Sequence, residues 1–457
     1  MNIKSYTQRT IALFFIIGII HLAGCDRGSS AQDETETLPE IRTLAASAVG
    51  SECASLTGRI KKFEYVDGPK MDMTSDREFR GGVQVDNGNI VFIPRMGIYV
   101  GEYDPYDNTF MHTAKHGTGG FGMGTALNDG YTVIMTPRGS RYVGIYDART
   151  QTYTNGASHG IPSDNAFLGS AKVSSDLIVF GPLLSEVVGL YNPETDIYRD
   201  GPEHNETDMY NFSTIALSTV TGDVILTPFH SEHVGIYNPA DNTYTSGATH
   251  NAGTGEAYSG SVEAGGKIIM APRSADHVGI YDPLTDTFTK GPKHGEGTGA
   301  FMAAQLWPSG EVLMAPYRSD HVGIYNPETG EYRSGPSVAH VEAANRWRFS
   351  GAILTKEKDR LVMTNRGADI IGIVRETPYF SNHDQAAVFF RYRPAGEQQW
   401  QETEKLTVTS ADAFQYDLSG LTSGTEYEYA AVIQSGDVER MGSLERFVTS
   451  FGQEDGY

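Results

Sequence analysis

An arginine recurs at matching points of a repeated phrase, close behind a short apolar run. The recurring residues are Arg95, Arg138, Arg273, Arg318 and Arg366. The chain has a formal net charge of −22, so guanidinium groups gathered by a repeating fold would form a local basic site. Such a site suits carboxylate or sulfate groups, because arginine donates paired hydrogen bonds to them. The alternative is that each arginine pairs with a neighbouring acid, such as Asp276 or Asp320.

The arginine pattern breaks in two consecutive copies, and functional residues are expected where a repeat breaks. Leu183 occupies the arginine position in one copy, and Phe229 followed by His230 occupies it in the next. The segment between these copies contains Tyr210, and Arg273 follows one copy later. We therefore predict Tyr210, His230 and Arg273 as candidate catalytic residues. Neutral drift of the repeat is the alternative.

Histidine recurs in two sets with the same period. The first set follows the last apolar run of each copy and comprises His116, His159, His204, His250, His294 and His340. The second set opens the third run and comprises His233, His277 and His321. A residue present in nearly every copy is expected to serve the structure, and the spacing between copies is too wide for a ring of short metal–ligand bonds. The "HSEH" segment has no evident third ligand, and "GTGGFG" lacks a strand before it and a helix after it. We predict no metal site and no cofactor.

The elements that must position these residues are short strands in a repeat. The phrase "VG(I/L/E)Y(D/N)" is centred on Gly101, Gly144, Gly189, Gly235, Gly279 and Gly323, with a degenerate copy at Gly372. The steps are 43, 45, 46, 44, 44 and 49 residues. A period in the mid-forties with four short apolar runs per copy is typical of propeller blades. The sequence therefore predicts an all-β fold.

The first and last copies are each incomplete. "KFEYVDGPK", at 62–70, is only the tail of a copy, and the last copy lacks this tail. The N-terminal strand is predicted to complete the last blade and to close the ring without an exposed edge. The expected domain is a seven-bladed β-propeller over 59–375. Its recurrent arginine loops share one face around the channel mouth, and an irregular loop, "NRWRF", adds a tryptophan. The predicted ligand-binding set is Arg95, Arg138, Arg318, Arg366 and Trp347.

The hairpin phrase "YDPLTDTF" resembles that of kelch repeats, but the Gly-Gly pair of that family is absent. We describe the repeat as kelch-like, and the family's partners do not carry over. Propeller-type polysaccharide lyases, such as the ulvan lyases, are similar in overall architecture. That resemblance implies an arginine that neutralises a uronate carboxylate while His or Tyr removes the neighbouring proton. Tyr210, His230 and Arg273 supply these residue types.

The sequence of the region 376–457 does not continue the repeat. "FFRYRPAGEQQW" and "YDLSGLTSGTEYEYAAV" resemble a fibronectin type III domain. Leu418, Leu421, Gly424, Thr425 and Tyr427 stand where that family places its tyrosine corner, and Trp400 matches its core tryptophan. The first strands of the family are poorly matched. The resemblance implies a small, shortened β-sandwich that acts as a spacer or binding unit.

The N-terminus has the features of an export signal. Lys4 and Arg9 precede an apolar run that ends in "LAGC" at Cys25, and this ending resembles the lipobox of bacterial lipoproteins. The resemblance implies a signal peptide over 1–25 and lipidation of Cys25. Residues 26–58 are predicted to form an acidic flexible tether. Cys53 would have no disulfide partner. The expected location is the cell envelope, with the membrane and leaflet left open.

Two functions remain open at this stage. The first is a lipid-anchored recognition protein that binds an acidic polysaccharide, or an envelope protein, at the channel-mouth face. The second is a lyase that cleaves a uronic-acid-containing polysaccharide by β-elimination. Nucleic acid is not expected as a partner, because the net charge of −22 repels a polyanion.

Overall fold

The computed structural model describes residues 38–451, except positions 40, 61, 76, 118, 163, 207–208, 254, 378–384 and 409–412. The predicted signal peptide over 1–25, including Cys25, and the start of the predicted tether lie outside the described residues. Among the residues that are described, no helix has the length and apolar character needed to span a bilayer.

Seven four-stranded antiparallel sheets form a β-propeller, as predicted. Three strands precede the first complete blade: β1 Ile41–Ser47, β2 Cys53–Ile60 and β3 Phe63–Lys70. Blades 1 to 3 comprise β4 Phe79–Gln84, β5 Ile90–Pro94, β6 Tyr99–Asp104, β7 Thr109–Lys115; β8 Phe121–Ala126, β9 Thr132–Pro137, β10 Tyr142–Asp147, β11 Thr152–Ser158; β12 Phe167–Lys172, β13 Ile178–Pro182, β14 Val187–Asn192, β15 Ile197–Glu203. Blades 4 to 6 comprise β16 Phe212–Leu217, β17 Val224–Pro228, β18 His233–Asn238, β19 Thr243–Thr249; β20 Tyr258–Ala264, β21 Lys267–Pro272, β22 His277–Asp282, β23 Thr287–Lys293; β24 Phe301–Leu306, β25 Val312–Pro316, β26 His321–Asn326, β27 Glu331–Ser337.

Blade 7 is built from both ends of the repeat region. A short 3-10 helix, Ala344–Arg346, precedes β28 Phe349–Leu354, β29 Arg360–Asn365 and β30 Ile370–Glu376. The outer strand of this blade is β3, which pairs antiparallel with β30 from Phe63 opposite Glu376 to Lys70 opposite Ile370. The N-terminal strand therefore closes the ring, and the predicted closure is confirmed.

The repeated glycine of each third strand is required by aromatic packing. The first residue of each inner strand is a buried Phe or Tyr whose ring lies over this glycine. A Cβ on Gly144 would come within 2.8 Å of the Phe121 ring, and one on Gly235 within 2.9 Å of the Phe212 ring. The glycine thus allows the inner and third strands to pack closely, and it is not a ligand site.

The first histidine set has the structural role that recurrence predicts. His250 donates from Nε2 to the Ser231 carbonyl at 2.8 Å, and its Nδ1 accepts from the Ala252 amide at 3.1 Å. His159, His204 and His294 make the same two contacts in their own blades. This pattern requires a neutral imidazole. His340 departs from it, because it is exposed and contacts Asp67.

A β-sandwich follows the propeller. Its later strands are β31 Ala386–Pro394, β32 Gln401–Glu402, β33 Leu406–Val408, β34 Ala413–Ser419, β35 Glu426–Ser435, β36 Val438–Met441 and β37 Glu445–Val448. One sheet has the order β1-β2-β34, and the other is β32-β31-β35-β36 with β33 on β31 and β37 on β35. The two faces share one core that includes Leu56, Phe390 and Tyr429.

The predicted tether over 26–58 is wrong from residue 41 onward, where β1 and β2 belong to the sandwich. Strand β2 pairs with β34 from Cys53 opposite Ser419 to Arg59 opposite Ala413. Its alternation of Ala54, Leu56 and Ile60, all buried, explains why it forms a half-buried strand. The sandwich is therefore not shortened: its first two strands lie ahead of the propeller, which is inserted between β2 and β31.

Two residues of the sandwich motif have distinct positions. The Tyr427 hydroxyl accepts a hydrogen bond from the Thr422 amide at 2.9 Å, which is the contact that defines a tyrosine corner. Trp400 is half-buried, and the Arg393 guanidinium lies 4.0 Å from its ring centroid. The expectation that Trp400 fills the core is wrong.

Candidate functional site

The loops after the second strands and the loops between blades lie on one face of the propeller. In an antiparallel four-stranded blade the second and fourth strands end on the same side, where the next inner strand begins. The first residue after each second strand forms a ring of seven around the channel. In blade order its members are Arg95, Arg138, Leu183, Phe229, Arg273, Tyr317 and Arg366. We call this set the mouth ring.

Arg318, which the sequence groups with the recurrent arginines, lies in the predicted loop but one residue beyond the mouth ring. Strand β25 ends at Pro316, so Tyr317 takes the ring position and Arg318 follows it. Tyr317 is 2% exposed, whereas Arg318 is exposed to solvent. Aligning the prolines that end the second strands, rather than the arginines, would have placed Tyr317 correctly.

Three arginines of the mouth ring hold buried donors that lack partners. Arg366 is 5% exposed, and its Nε and Nη1 have no hydrogen-bond acceptor in the described part of the chain. The same holds for Nε and Nη1 of Arg95 and for Nε of Arg138. A buried donor without an acceptor is unfavourable. These side chains are therefore suited to bind an anion.

The guanidinium groups also repel one another. Burial, followed by the charges of Arg366 and Arg138, lowers the pKa of Arg95 to about 8. Burial and the charge of Arg366 lower the pKa of Arg138 to about 10. Burial and Arg273 lower the pKa of Arg366 to about 10, although Tyr317 opposes this effect. Among the described residues, the ion pair of the mouth ring is that of Arg273 with Glu256, so the other ring arginines carry positive charge without a paired acid.

Arg80, which sequence reasoning missed, adds to this charge. It is the second residue of inner strand β4, is 6% exposed, and forms no ion pair with any residue that the structure describes. Burial and then the charges of four ring arginines lower its pKa well below the ordinary value: Arg366, Arg138, Arg95 and Arg273. The signal was present in the sequence, because the other inner strands have no charged residue here: Gly122, Leu168, Ser213, Ser259, Met302 and Ser350.

Trp347 supports the arginines through its ring. It stacks on Tyr317 with centroids 6.0 Å apart and an interplanar angle of 11°. The Arg366 guanidinium lies 5.7 Å from the ring centroid of Trp347 and 5.3 Å from that of Tyr317. The Arg77 guanidinium lies 4.5 Å from the Trp347 ring centroid. These cation–π contacts hold the guanidinium planes in place. The structure thus places Trp347 beside the mouth ring as a positioning residue.

Arg273 differs from the other ring arginines because it has an acidic partner. Its Nε donates to Glu256 at 2.9 Å, and its guanidinium lies 5.1 Å from the Phe229 ring and 4.8 Å from the Tyr317 ring. The ion-pair alternative therefore describes Arg273, but with Glu256 rather than Asp276.

Tyr210 and His230 lie together on the same face. Their ring centroids are 6.0 Å apart, and the His230 ring stacks on Phe229 at 5.2 Å. Tyr210 has a φ of 62°, a left-handed conformation that costs a non-glycine residue energy. No contact between described atoms joins Arg273 to either residue; Phe229 lies between His230 and Arg273.

Comparisons with known proteins give the fold. No protein-family model and no curated protein matches the chain. Among solved structures, virginiamycin B lyase from Staphylococcus aureus is similar, with a TM-score of 0.58, 12% identity, and coverage of 69% of this chain and 99% of that chain. A streptogramin B lyase has a TM-score of 0.57 at 12% identity, covering 69% of this chain and 98% of that one.

A third similar structure is the extracellular domain of a hybrid two component system from B. thetaiotaomicron. Its TM-score is 0.52 at 10% identity, and the match covers 87% of this chain and 62% of that chain. At these identities the similarity extends to the β-propeller fold and no further.

Proposed function

We propose that this protein is a lipid-anchored cell-envelope protein that binds an acidic group of a glycan at the mouth ring. One observation supports this most directly: Arg95, Arg138 and Arg366 hold buried N–H donors without acceptors. A carboxylate, sulfate or phosphate would supply those acceptors and offset the repulsion. An acidic segment of an envelope protein is the other occupant that such a site accepts.

The placement in the envelope rests on the N-terminal sequence. The "LAGC" motif at Cys25 resembles a lipobox, so the chain would be exported and attached by its lipid. The fibronectin type III resemblance, which the Thr422–Tyr427 hydrogen bond supports, suggests that the sandwich is a spacer between the anchor and the propeller. The Cys25→Ser variant is expected to leave the membrane fraction, and unchanged fractionation would contradict the anchor.

Binding to a panel of acidic polysaccharides and acidic peptides tests the function. Full-length protein in detergent should retain acidic glycans, and Arg138→Ala should weaken retention by roughly ten- to a hundredfold. The exposed Arg318→Ala is the matched control and should bind normally. Retention that is equal in both variants and insensitive to salt would refute the mouth ring as the site.

A lyase is the second candidate, because Tyr210 is held in a strained conformation beside His230. Two similar structures are lyases by name, although their likeness is one of fold. In this hypothesis one of the pair removes the proton next to a uronate carboxylate and the other protonates the leaving oxygen. Incubation with uronic-acid polysaccharides, followed by ultraviolet absorbance of unsaturated uronates, tests it. No absorbance across the panel would exclude β-elimination of those substrates.

A further inference from the structure

Arg80 sits deeper than the mouth ring. Phe79 pairs with Pro94 across the first two strands of blade 1. Arg95 therefore lies one residue outside that pair, and Arg80 lies inside it, in the register shift between Phe79 and Gly81. The difference is roughly 3–7 Å along the strand. The backbone of Arg80 thus lies further from the mouth than that of the mouth ring, and its side chain is 6% exposed.

The positions equivalent to Arg80 in the other six blades carry no charged residue, and several of their side chains are small. The equivalent positions of the other blades include Gly122 and three serines, whose hydroxyls are bound to their own surroundings. Ser213 donates to the Ser259 carbonyl at 2.8 Å, and Ser350 donates to the Phe79 carbonyl at 3.0 Å. Within the described residues, Arg80 is the charged group of this inner layer.

The uncompensated charge exceeds what one carboxylate can balance. Arg80, Arg95, Arg138 and Arg366 form no ion pair with any acid that the structure describes, whereas the charge of Arg273 is offset by Glu256. A group with two negative charges satisfies the site better than one with a single charge. Phosphate monoesters have a charge of about −1.5 to −2 at pH 7.

The donors also approach from different directions. Arg366, Arg95 and Arg138 follow second strands of three neighbouring blades, 7, 1 and 2, and Arg80 lies on the inner strand of blade 1. A carboxylate offers two oxygens in one plane, whereas a tetrahedral monoester offers three oxygens that point apart. Donors that come from three different blades suit a group whose oxygens point apart better than one whose oxygens share a plane.

We propose, on the basis of the proposed function, that the ligand group is a phosphate monoester at the end of a glycan, with Arg80 contacting its innermost oxygen. A monoester has one link to the rest of its molecule, so it can enter the channel. A diester lies within a chain, holds a single charge, and would pass over the mouth. Double charge and terminal position therefore coincide in the same chemical group.

Calorimetry with small probes tests the proposal on full-length protein in detergent. The probes are glucose 6-phosphate, inorganic phosphate, dimethyl phosphate, glucose 6-sulfate and glucuronate. We expect glucose 6-phosphate to bind at least tenfold more tightly than the three singly charged probes. Binding should strengthen as pH rises from 5 to 7, because the monoester loses its second proton near pH 6. Inorganic phosphate that binds more tightly than the ester would identify the free ion as the ligand and overturn the terminal-glycan part.

Arg80→Ser provides the variant test, because three other blades have serine at this position. The preference for the monoester should disappear in Arg80→Ser and remain in Arg318→Ser. Arg80→Lys retains the charge and should keep part of the preference. It serves as the test if Arg80→Ser does not fold. Equal affinity for glucuronate and glucose 6-phosphate, unchanged by Arg80→Ser but lost in Arg138→Ala, would overturn this inference and leave the proposed function standing. No binding of any probe would overturn both.

Discussion

Replacing Arg95 by leucine should stabilise the unliganded protein while removing affinity for anions. Blade 3 already has a leucine, Leu183, at this position of the mouth ring. The substitution therefore introduces a residue that the fold already accommodates at the equivalent position of another blade. It removes a half-buried cation whose buried Nε and Nη1 have no acceptor among the described residues.

The magnitude follows from the electrostatics of Arg95. A pKa lowered from 12.5 to about 8 corresponds to an upper limit of ~6 kcal/mol of unfavourable free energy at this site. Part of that cost is burial and part is repulsion by Arg366 and Arg138. Replacing poorly compensated buried charges by apolar residues commonly stabilises proteins by about 1–4 kcal/mol. We expect Arg95→Leu to raise the free energy of unfolding by about 1–3 kcal/mol.

Urea and thermal unfolding of the two proteins, with and without phosphate, measure this effect. Wild-type protein should gain about 2.7 kcal/mol at a ligand concentration one hundred times its Kd, and Arg95→Leu should gain much less. Arg318→Leu, one residue outside the ring, is the control and should change stability by less than about 0.5 kcal/mol. A destabilised Arg95→Leu that still binds anions would refute the repulsion argument.

Three further outcomes are expected. His250 accepts a hydrogen bond at Nδ1, and burial lowers its pKa below 6.5. The unfolded chain therefore binds more protons than the folded protein near this pH. The contribution of His250 to stability is thus present above pH 6.5 and is lost as pH falls below that value. His250→Gln should flatten this part of a stability–pH profile, and an unaltered slope between pH 6.5 and 5 would contradict it. Deleting 62–69 should expose the β30 edge and cause aggregation in light scattering, whereas a monomeric deletion variant with wild-type melting would disprove closure by β3. If the protein is a lyase, Tyr210→Phe and His230→Ala should abolish turnover and retain binding; turnover that survives both changes would place the chemistry elsewhere.

The propeller was predictable because its signals are local and repeated. A glycine beneath an aromatic ring, a turn with Pro and Asp, and a period in the mid-forties each recur in nearly every blade. Closure by 62–70 followed from a missing piece at one end and a surplus piece at the other. The sandwich was only half predictable, since β2 pairs with β34 and the partner residues Ser55 and Asp417 are 362 positions apart. No local pattern reports such a distant pairing.

The site was predictable in composition but not in geometry. Recurrence identified Arg95, Arg138 and Arg366, because they occupy one position of the repeat. Arg80 occurs in a single blade, so only a comparison of the inner strands at equal register reveals it. The pairing of Arg273 with Glu256 depends on side-chain directions that strand patterns do not specify.

The insertion of the propeller between β2 and β31 has a consequence for synthesis of the protein. Strands β1 and β2 leave the ribosome first, but β34 follows about 360 residues later, as the Ser55–Asp417 separation of 362 shows. At roughly 5–20 residues per second this interval is on the order of 20–70 s. Throughout it, the edge of β2 lacks its partner while seven blades assemble. The propeller can be completed once β30 has emerged, whereas the sandwich must wait until the whole ring and the strands after it have been made. A chain truncated after the propeller would keep a hairpin with an apolar face and nothing to cover it, which makes the C-terminal sandwich strands a condition for a soluble product.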